Sequence, residues 1–131
     1  MTLIVCVDDN NGMMFNNRRQ SRDQKLNELI LKMARGTVLC ISEYSKTLFP
    51  MGYTCSDFLV DGTYFIENPD LLTQDIVDSF DMIVVCKWNR DYPADKFFNF
   101  SLKYHNLEFL DEIEGSSHEK ITILTFMKKG V

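Results

Sequence analysis

Residues 2–23 read TLIVCVDDNNGMMFNNRRQSRD. Thr2 to Val7 is an unbroken apolar run rich in β-formers, the pattern of a strand buried on both faces and therefore central in its sheet. Asp8 and Asp9 end it, and the chain turns at Gly12. Met13, Met14 and Phe15 follow, and then Asn16, Asn17, Arg18, Arg19 and Gln20 are delivered before a helix begins. A connector between a strand and a helix usually needs only about two to six residues. This one is longer and dense in side chains that recognise anions and amides, which marks it as the candidate functional loop.

Ser21 is expected to cap the helix, with Gln24 three residues later completing a capping box. Leu26, Leu29, Ile30, Met33 and Ala34 form one apolar stripe at helical spacing, and Gly36 supplies the stop. Asp23 precedes Leu26 on that inward face. Thr37 to Ile41 reads as a second strand, and Ser42 starts a short helix that Pro50 closes. Two readings stay open for residues 51–62. Asp61-Gly62 is a hairpin turn, or Tyr53 to Cys55 is a short strand and Ser56 caps one helical turn; the second is preferred. Gly62 to Glu67 is a strand either way. Asn68-Pro69-Asp70 opens a helix through Leu72, Ile76 and Phe80. Met82 to Trp88 is a buried strand, and Pro93 keeps residues 89–104 out of any central strand. Leu107 to Ile113 and Lys120 to Lys129 flank a short turn, so they are expected to pair antiparallel. Strands alternating with helices, then a terminal antiparallel pair, give a single α/β domain over residues 1–131 with a mixed sheet.

A net charge of −5 disfavours non-specific nucleic-acid binding by the whole molecule. Arg18, Arg19, Arg22 and Lys25 nevertheless make one locally positive segment, suited to a small anion rather than a phosphate backbone. Cys6, Cys40, Cys55 and Cys86 lack C-x-x-C spacing and read as buried reduced thiols. No apolar run approaches membrane-spanning length and none reads as a signal peptide, so no membrane contact and a cytoplasmic location are expected.

Four constellations carry chemistry. Asp23 can hold a protonated ring nitrogen or an amidine-like edge; equally, it can interact with the helix N-terminus and need no ligand. Arg18 and Arg19 can clamp a carboxylate or phosphate, or pair with surface acids, and pairing is expected for at least one of them. Ser116, Ser117, His118 and Glu119 invite a nucleophile reading, but neighbours in a turn point apart and their hydroxyls more simply satisfy backbone groups. His105 has no companion motif. The two histidines are too few for a clustered metal site, and neither the phosphate-binding nor the dinucleotide glycine motif occurs, so no metal is expected.

Leu3-Ile4-Val5-Cys6-Val7-Asp8, then Gly12, a loop and an acid on the following helix, resembles the start of dihydrofolate reductase. The order and spacing of Thr37 to Ile41, Met82 to Trp88, Asp91-Tyr92-Pro93 and the final strand pair extend that resemblance over most of the chain. It implies a three-layer dihydrofolate-reductase-like mixed sheet flanked by helices, with an antiparallel C-terminal strand pair. It also implies that the turn between the last two strands lies against the first loop, bringing Ser116 to Glu119 to face Asn16 to Gln20. The departures are specific. Arg18-Arg19-Gln20 replaces the family's Leu-Pro-Trp, and Cys40-Ile41-Ser42-Glu43 replaces its phosphate-receiving Gly-Arg-x-Thr. Glu67-Asn68-Pro69 replaces its glycine pair, and the adenine-side strands are largely missing from residues 50–62. The chain is also similar, through Arg18-Arg19-Gln20-Ser21 and Gly115-Ser116-Ser117-His118-Glu119-Lys120, to a small family of short proteins that carry a ribonuclease Z label.

The resulting expectation is a trimmed domain that binds a small polar or anionic ligand through Asn16, Asn17, Arg18, Arg19, Gln20, Asp23, Ser116, Ser117, His118 and Glu119, with no NADPH or other cofactor. An NADPH-dependent pterin-type reductase and a phosphoesterase or ribonuclease are the alternatives. A homodimer is expected, because trimming leaves Thr37 to Ile41, or the short strand beside it, near an open sheet edge.

Overall fold

The computed structural model describes residues 1–55 and 57–130. Its main sheet has seven strands: β1 (Thr2–Val7), β4 (Val38–Ile41), β5 (Tyr53–Thr54), β6 (Gly62–Phe65), β7 (Met82–Lys87), β9 (His105–Ile113) and β10 (Ile121–Lys128). They lie in the order β5-β4-β6-β1-β7-β10-β9. β1 is central as expected, in parallel register with β6 on one side and β7 on the other. β10 pairs antiparallel with both β7 and β9, so the terminal strand pair is where the sequence puts it.

Each sheet face is covered. Leu26 and Ile30 of α1 (Gln24–Met33), with Ala34 as its C-cap, pack with Ile4, Phe65, Val84 and Cys86 on one side. Val77 of α2 (Gln74–Ser79), followed by Phe80, packs with Leu3, Val5, Tyr64 and Ile83 on the other. α1 stops where Gly36 takes φ +84°, a left-handed conformation that costs glycine little. The four cysteines are free thiols; Cys6 and Cys86 are register partners on neighbouring strands, and their hydrogen bond together with burial pushes the Cys6 thiol well up.

The first loop is more ordered than the sequence implies. Gly12–Phe15 forms β2 and Arg18–Arg19 forms β3, and β8 (Lys96–Phe97) joins them in a second, three-stranded sheet. Met14 pairs with Arg19 and Phe15 with Arg18 across the two-residue turn Asn16-Asn17. Both turn residues have positive φ, 51° and 59°, the hand a tight hairpin requires, and asparagine tolerates it better than most residues. Met13 and Met14 are buried, so the hairpin is anchored in the core from below.

Three further expectations are corrected. Asp23, not Ser21, caps α1: it accepts from Leu26 N at 3.1 Å, while Ser21 Oγ is engaged with His118. The helix begun at Asn68 does not run on to Phe80. Asn68 caps only a 3-10 turn at Pro69–Leu71; Leu72 is extended, and Thr73 caps α2 afresh by accepting from Ile76 N. Leu72, at that break, is buried in the core. Of the two readings of 51–62, β5 fulfils the short strand, residues 57–60 form bends rather than a helical turn, and the Ser56 cap lies outside the described residues. Residues Ser42 to Phe49 hold a 3-10 helix at Glu43–Thr47, without a side-chain cap from Ser42.

The division at Leu72 has a measurable consequence. Asn68→Ala and Thr73→Ala should each cost about 1 kcal/mol, the usual value of a capping side chain. Because they cap separate segments, urea unfolding of the double variant should give their sum within about 0.5 kcal/mol.

Candidate functional site

The loops that follow β1, β4, β6 and β7 gather at the carboxyl ends of the parallel strands, the place where open α/β sheets form their crevices. Three buried carboxylates hold those loops. Asp8 directly follows β1 and is fully buried. Its Oδ1 accepts from Asn10 N at 2.9 Å and Gly12 N at 2.7 Å, and its Oδ2 from Gln20 Nε2 at 2.9 Å and Tyr92 N at 3.3 Å. The hairpin and the segment after β7 are thereby tied to one anion. Gln20 is oriented by the same contacts, since its amide nitrogen faces two acceptors, Asp8 Oδ2 and Pro93 O.

Glu67, two residues beyond β6, is 8% exposed and grips the other side of the hairpin. Arg19 meets it bidentately, Nε to Oε1 at 2.7 Å and Nη2 to Oε2 at 3.0 Å, and Ser45 Oγ donates to Oε2 at 2.8 Å. The Arg19 guanidinium also lies over the Tyr44 ring, 4.5 Å from its centroid, and its Nη2 donates to Thr47 Oγ1. Arg19 is therefore the paired arginine of the two. Under this latch Cys6, Ser21, Arg22, Asn27, Phe65, Glu67 and Trp88 surround an enclosed cleft of about 20 Å³, room for roughly one water.

Asp23 fastens α1 to the turn between β9 and β10. Besides Leu26 N, it accepts from Ser116 N at 3.0 Å, Ser117 N at 2.8 Å and Ser117 Oγ at 3.2 Å, and its Oδ2 lies 3.1 Å from His118 Nδ1. Burial alone would push this carboxyl up, but the N–H groups of Ser116, Ser117 and Leu26, with His118, hold it well below the usual carboxylate range. His118 is 3% exposed and stacks on Trp88, ring centroids 4.6 Å apart. Its Nε2 lies 2.9 Å from Tyr92 Oη and 3.2 Å from Ser21 Oγ. Gly115 is required by close approach: a Cβ there would sit 2.5 Å from Asp23 Oδ2.

The two polar clusters thus meet through Ser21, Arg22, Asp23 and Tyr92 rather than through Asn16 to Gln20. Ser116 Oγ accepts from Lys25 N, and Ser117 Oγ donates to Arg22 O. Asn16, Arg18, Arg19 and Gln20 line a hollow of about 520 Å³ with Phe15, Tyr92 and Pro93. Ser116, Ser117, His118 and Glu119 line a separate one of about 390 Å³ with Arg90. Asn17 stands at the hairpin tip, outside the lining of both. His105 lies far along β9, its Nε2 bonded to Phe80 O at 2.7 Å. Among the described residues no group of three or more His, Cys, Asp or Glu side chains could hold a metal ion.

Sequence reasoning passed over Asp8, Glu67, Ser45, Tyr92 and Trp88 as site residues. Asp8 carried one local signal, an acid at a strand end four residues before a glycine. The others are recruited from distant segments and carried none.

No protein-family model and no curated protein matches the chain. Its fold is similar to that of a dihydrofolate reductase from Enterococcus faecalis, solved in complex with NADP(H) and RAB-propyl. The likeness has a TM-score of 0.72 at 7% identity and covers 98% of this chain and 95% of that one. The fold is accordingly dihydrofolate-reductase-like, as the resemblance of the first strand, loop and final strand pair implied.

The Asp23 node should govern acid stability. The carboxyl is lowered in the folded state, so its contribution is fully present above the unfolded value of about 3.9 and is lost as pH falls through the folded value. Asp23→Asn should flatten the stability profile below about pH 4. At neutral pH, Asp23→Ala should cost about 3–5 kcal/mol, because buried donors lose their acceptor. Thermal unfolding from pH 2 to 7 measures both.

Proposed function

We propose that this dihydrofolate-reductase-like domain binds a small polar or anionic ligand in the hollow beside the β2–β3 hairpin, with Arg18 as the charge contact and without nicotinamide chemistry. The observation that carries it is the division of labour between the two hairpin arginines. Arg19 is consumed by Glu67. Arg18 is exposed, makes no ion pair with the described residues, and lines the larger hollow with Phe15, Asn16 and Gln20. An unpaired guanidinium beside an exposed aromatic ring and amide groups suits a small planar anion. Asp23 takes no part as a direct contact, since its lone pairs already face protein donors.

The fold neighbour is complexed with NADP(H). Two features argue against that cofactor here. Glu67 and its latch to Arg19 stand at the carboxyl end of β6, where the reductase family has its glycine pair, and Pro69 opens a 3-10 turn immediately after. Glu43 lies just beyond β4, so an acid occupies the expected phosphate-receiving segment. A thermal-shift screen with inorganic phosphate, nucleotides, folates, NADPH and divalent metals separates the readings. A ligand at a hundredfold excess over its Kd should stabilise the fold by about 2.7 kcal/mol. Arg18→Ala should abolish binding and leave the melting temperature unchanged. Arg19→Ala should cost about 2–4 kcal/mol, discounted because the side chain keeps 19% exposure. Stabilisation by NADPH or a folate would favour the reductase reading, and stabilisation by a metal the phosphoesterase reading.

Self-association belongs to the same proposal. β5, only two residues long, covers β4 at Cys40 and Ile41 and leaves Val38 and Leu39 without an outer strand. Met51 and Tyr53, 65% and 57% exposed, stand beside that edge, with Val38 at 43%. Light scattering over a concentration series should show a homodimer; a monomeric mass at tens of micromolar would defeat this part.

A further inference from the structure

We propose that Ser21, His118 and Asp23 form an acyl-transfer centre acting on small carboxylic esters, a chemistry separate from anion binding at Arg18. Their atoms connect in the order such a centre needs. Ser21 Oγ is 3.2 Å from His118 Nε2, and His118 Nδ1 is 3.1 Å from Asp23 Oδ2. Constellations of this kind recur on unrelated folds and are recognised by geometry and roles. Asp23 is the positioning residue. Buried and held as a carboxylate by the backbone N–H groups of Leu26, Ser116 and Ser117, it favours the imidazole tautomer with its proton on Nδ1. Nε2 is then the acceptor, turned towards Ser21, and the Trp88 stack fixes the ring plane. Ser21 is the half-buried member and lines the enclosed cleft, in which the cation is Arg22. Arg22 makes no ion pair with the described residues, so its charge is free for a developing oxyanion.

In the first half-reaction Ser21 Oγ bonds to the ester carbonyl carbon while its proton passes to His118 Nε2. The bond to the leaving alcohol then breaks, and that oxygen takes the proton from Nε2. Water attacks the acyl-serine next, giving its proton to Nε2, from which it returns to Ser21 Oγ as the carboxylic acid departs. Water is the only co-reactant, and nothing is oxidised or reduced. At about 20 Å³ the cleft has room for the hydrolytic water and not for the ester, which meets Ser21 from its partly exposed side. Tyr92 Oη, 2.9 Å from Nε2, competes with Ser21 for the same lone pair and so restrains the centre.

The test treats the full chain with methanesulfonyl fluoride, maps the adduct by peptide mass spectrometry, and follows p-nitrophenyl acetate hydrolysis in parallel. One adduct is expected, on Ser21, and it disappears in Ser21→Ala together with the esterase activity. His118→Gln should slow acylation about 100-fold or more while circular dichroism reports a folded chain. Tyr92→Phe should quicken acylation several-fold, an effect a merely structural Tyr92–His118 bond would not produce. Absence of a Ser21 adduct in the folded wild-type chain overturns the proposal, as does hydrolysis that survives Ser21→Ala. If His118→Gln does not fold, the Tyr92→Phe comparison decides: an unchanged or slower rate overturns it.

Discussion

Burying a carboxylate is tolerable only when its oxygens are supplied with donors, because the charge gives up its hydration on folding. Among the described residues three are buried, Asp8, Asp23 and Glu67, all at the carboxyl end of the parallel strands. Each draws its donors from a different part of the chain. Asp8 collects the hairpin loop and the segment after β7, Glu67 collects β3 and the turn after β4, and Asp23 collects the start of α1 and the turn before β10. The polar end of the molecule is built outward from these three anions. Its loops keep one arrangement because any other would strand a buried charge.

The same constraint shapes what the crevice can do. In an open α/β sheet the carboxyl ends of the strands are the natural place for a ligand. Here the Arg19–Glu67 pair draws the hairpin down over them and leaves a cleft of about 20 Å³ beneath it. The open space lies on the outer side of the hairpin, in a hollow of about 520 Å³ where Arg18 makes no ion pair with the described residues. Arg19 lines that hollow too, but its charge is met by Glu67.

His118 joins the two regions. Its ring is stacked on Trp88 and bonded to Tyr92, Ser21 and Asp23, which come from two distant stretches of chain, 88–92 and 21–23. Tyr92 is at once a wall of the outer hollow and a hydrogen-bond partner of this buried imidazole. The hollow and the buried imidazole therefore touch through a single side chain.

The sequence by itself determined the framework. The unbroken apolar run of β1, the helical stripe of Leu26, Ile30 and Ala34, and the short turn before β10 are local patterns, and local patterns report burial and pairing directly. It failed where two local signals competed or where a weak one was decisive. Ser21 and Asp23 can both cap a helix, and the choice fell to Asp23 because Ser21 is claimed by His118 across the fold. Asn16-Asn17 carries no glycine, so the hairpin it turns was concealed in what read as a loop. Leu72 fits a continuous helical stripe, yet it enters the core from an extended backbone between two separately capped segments. Only the tertiary structure decided that Arg19 pairs with Glu67 while Arg18 makes no ion pair with the described residues, and only it placed Tyr92 and His118 between the loops. Those outcomes depend on partners 25 to 97 residues apart in the chain, a distance at which no spacing rule operates.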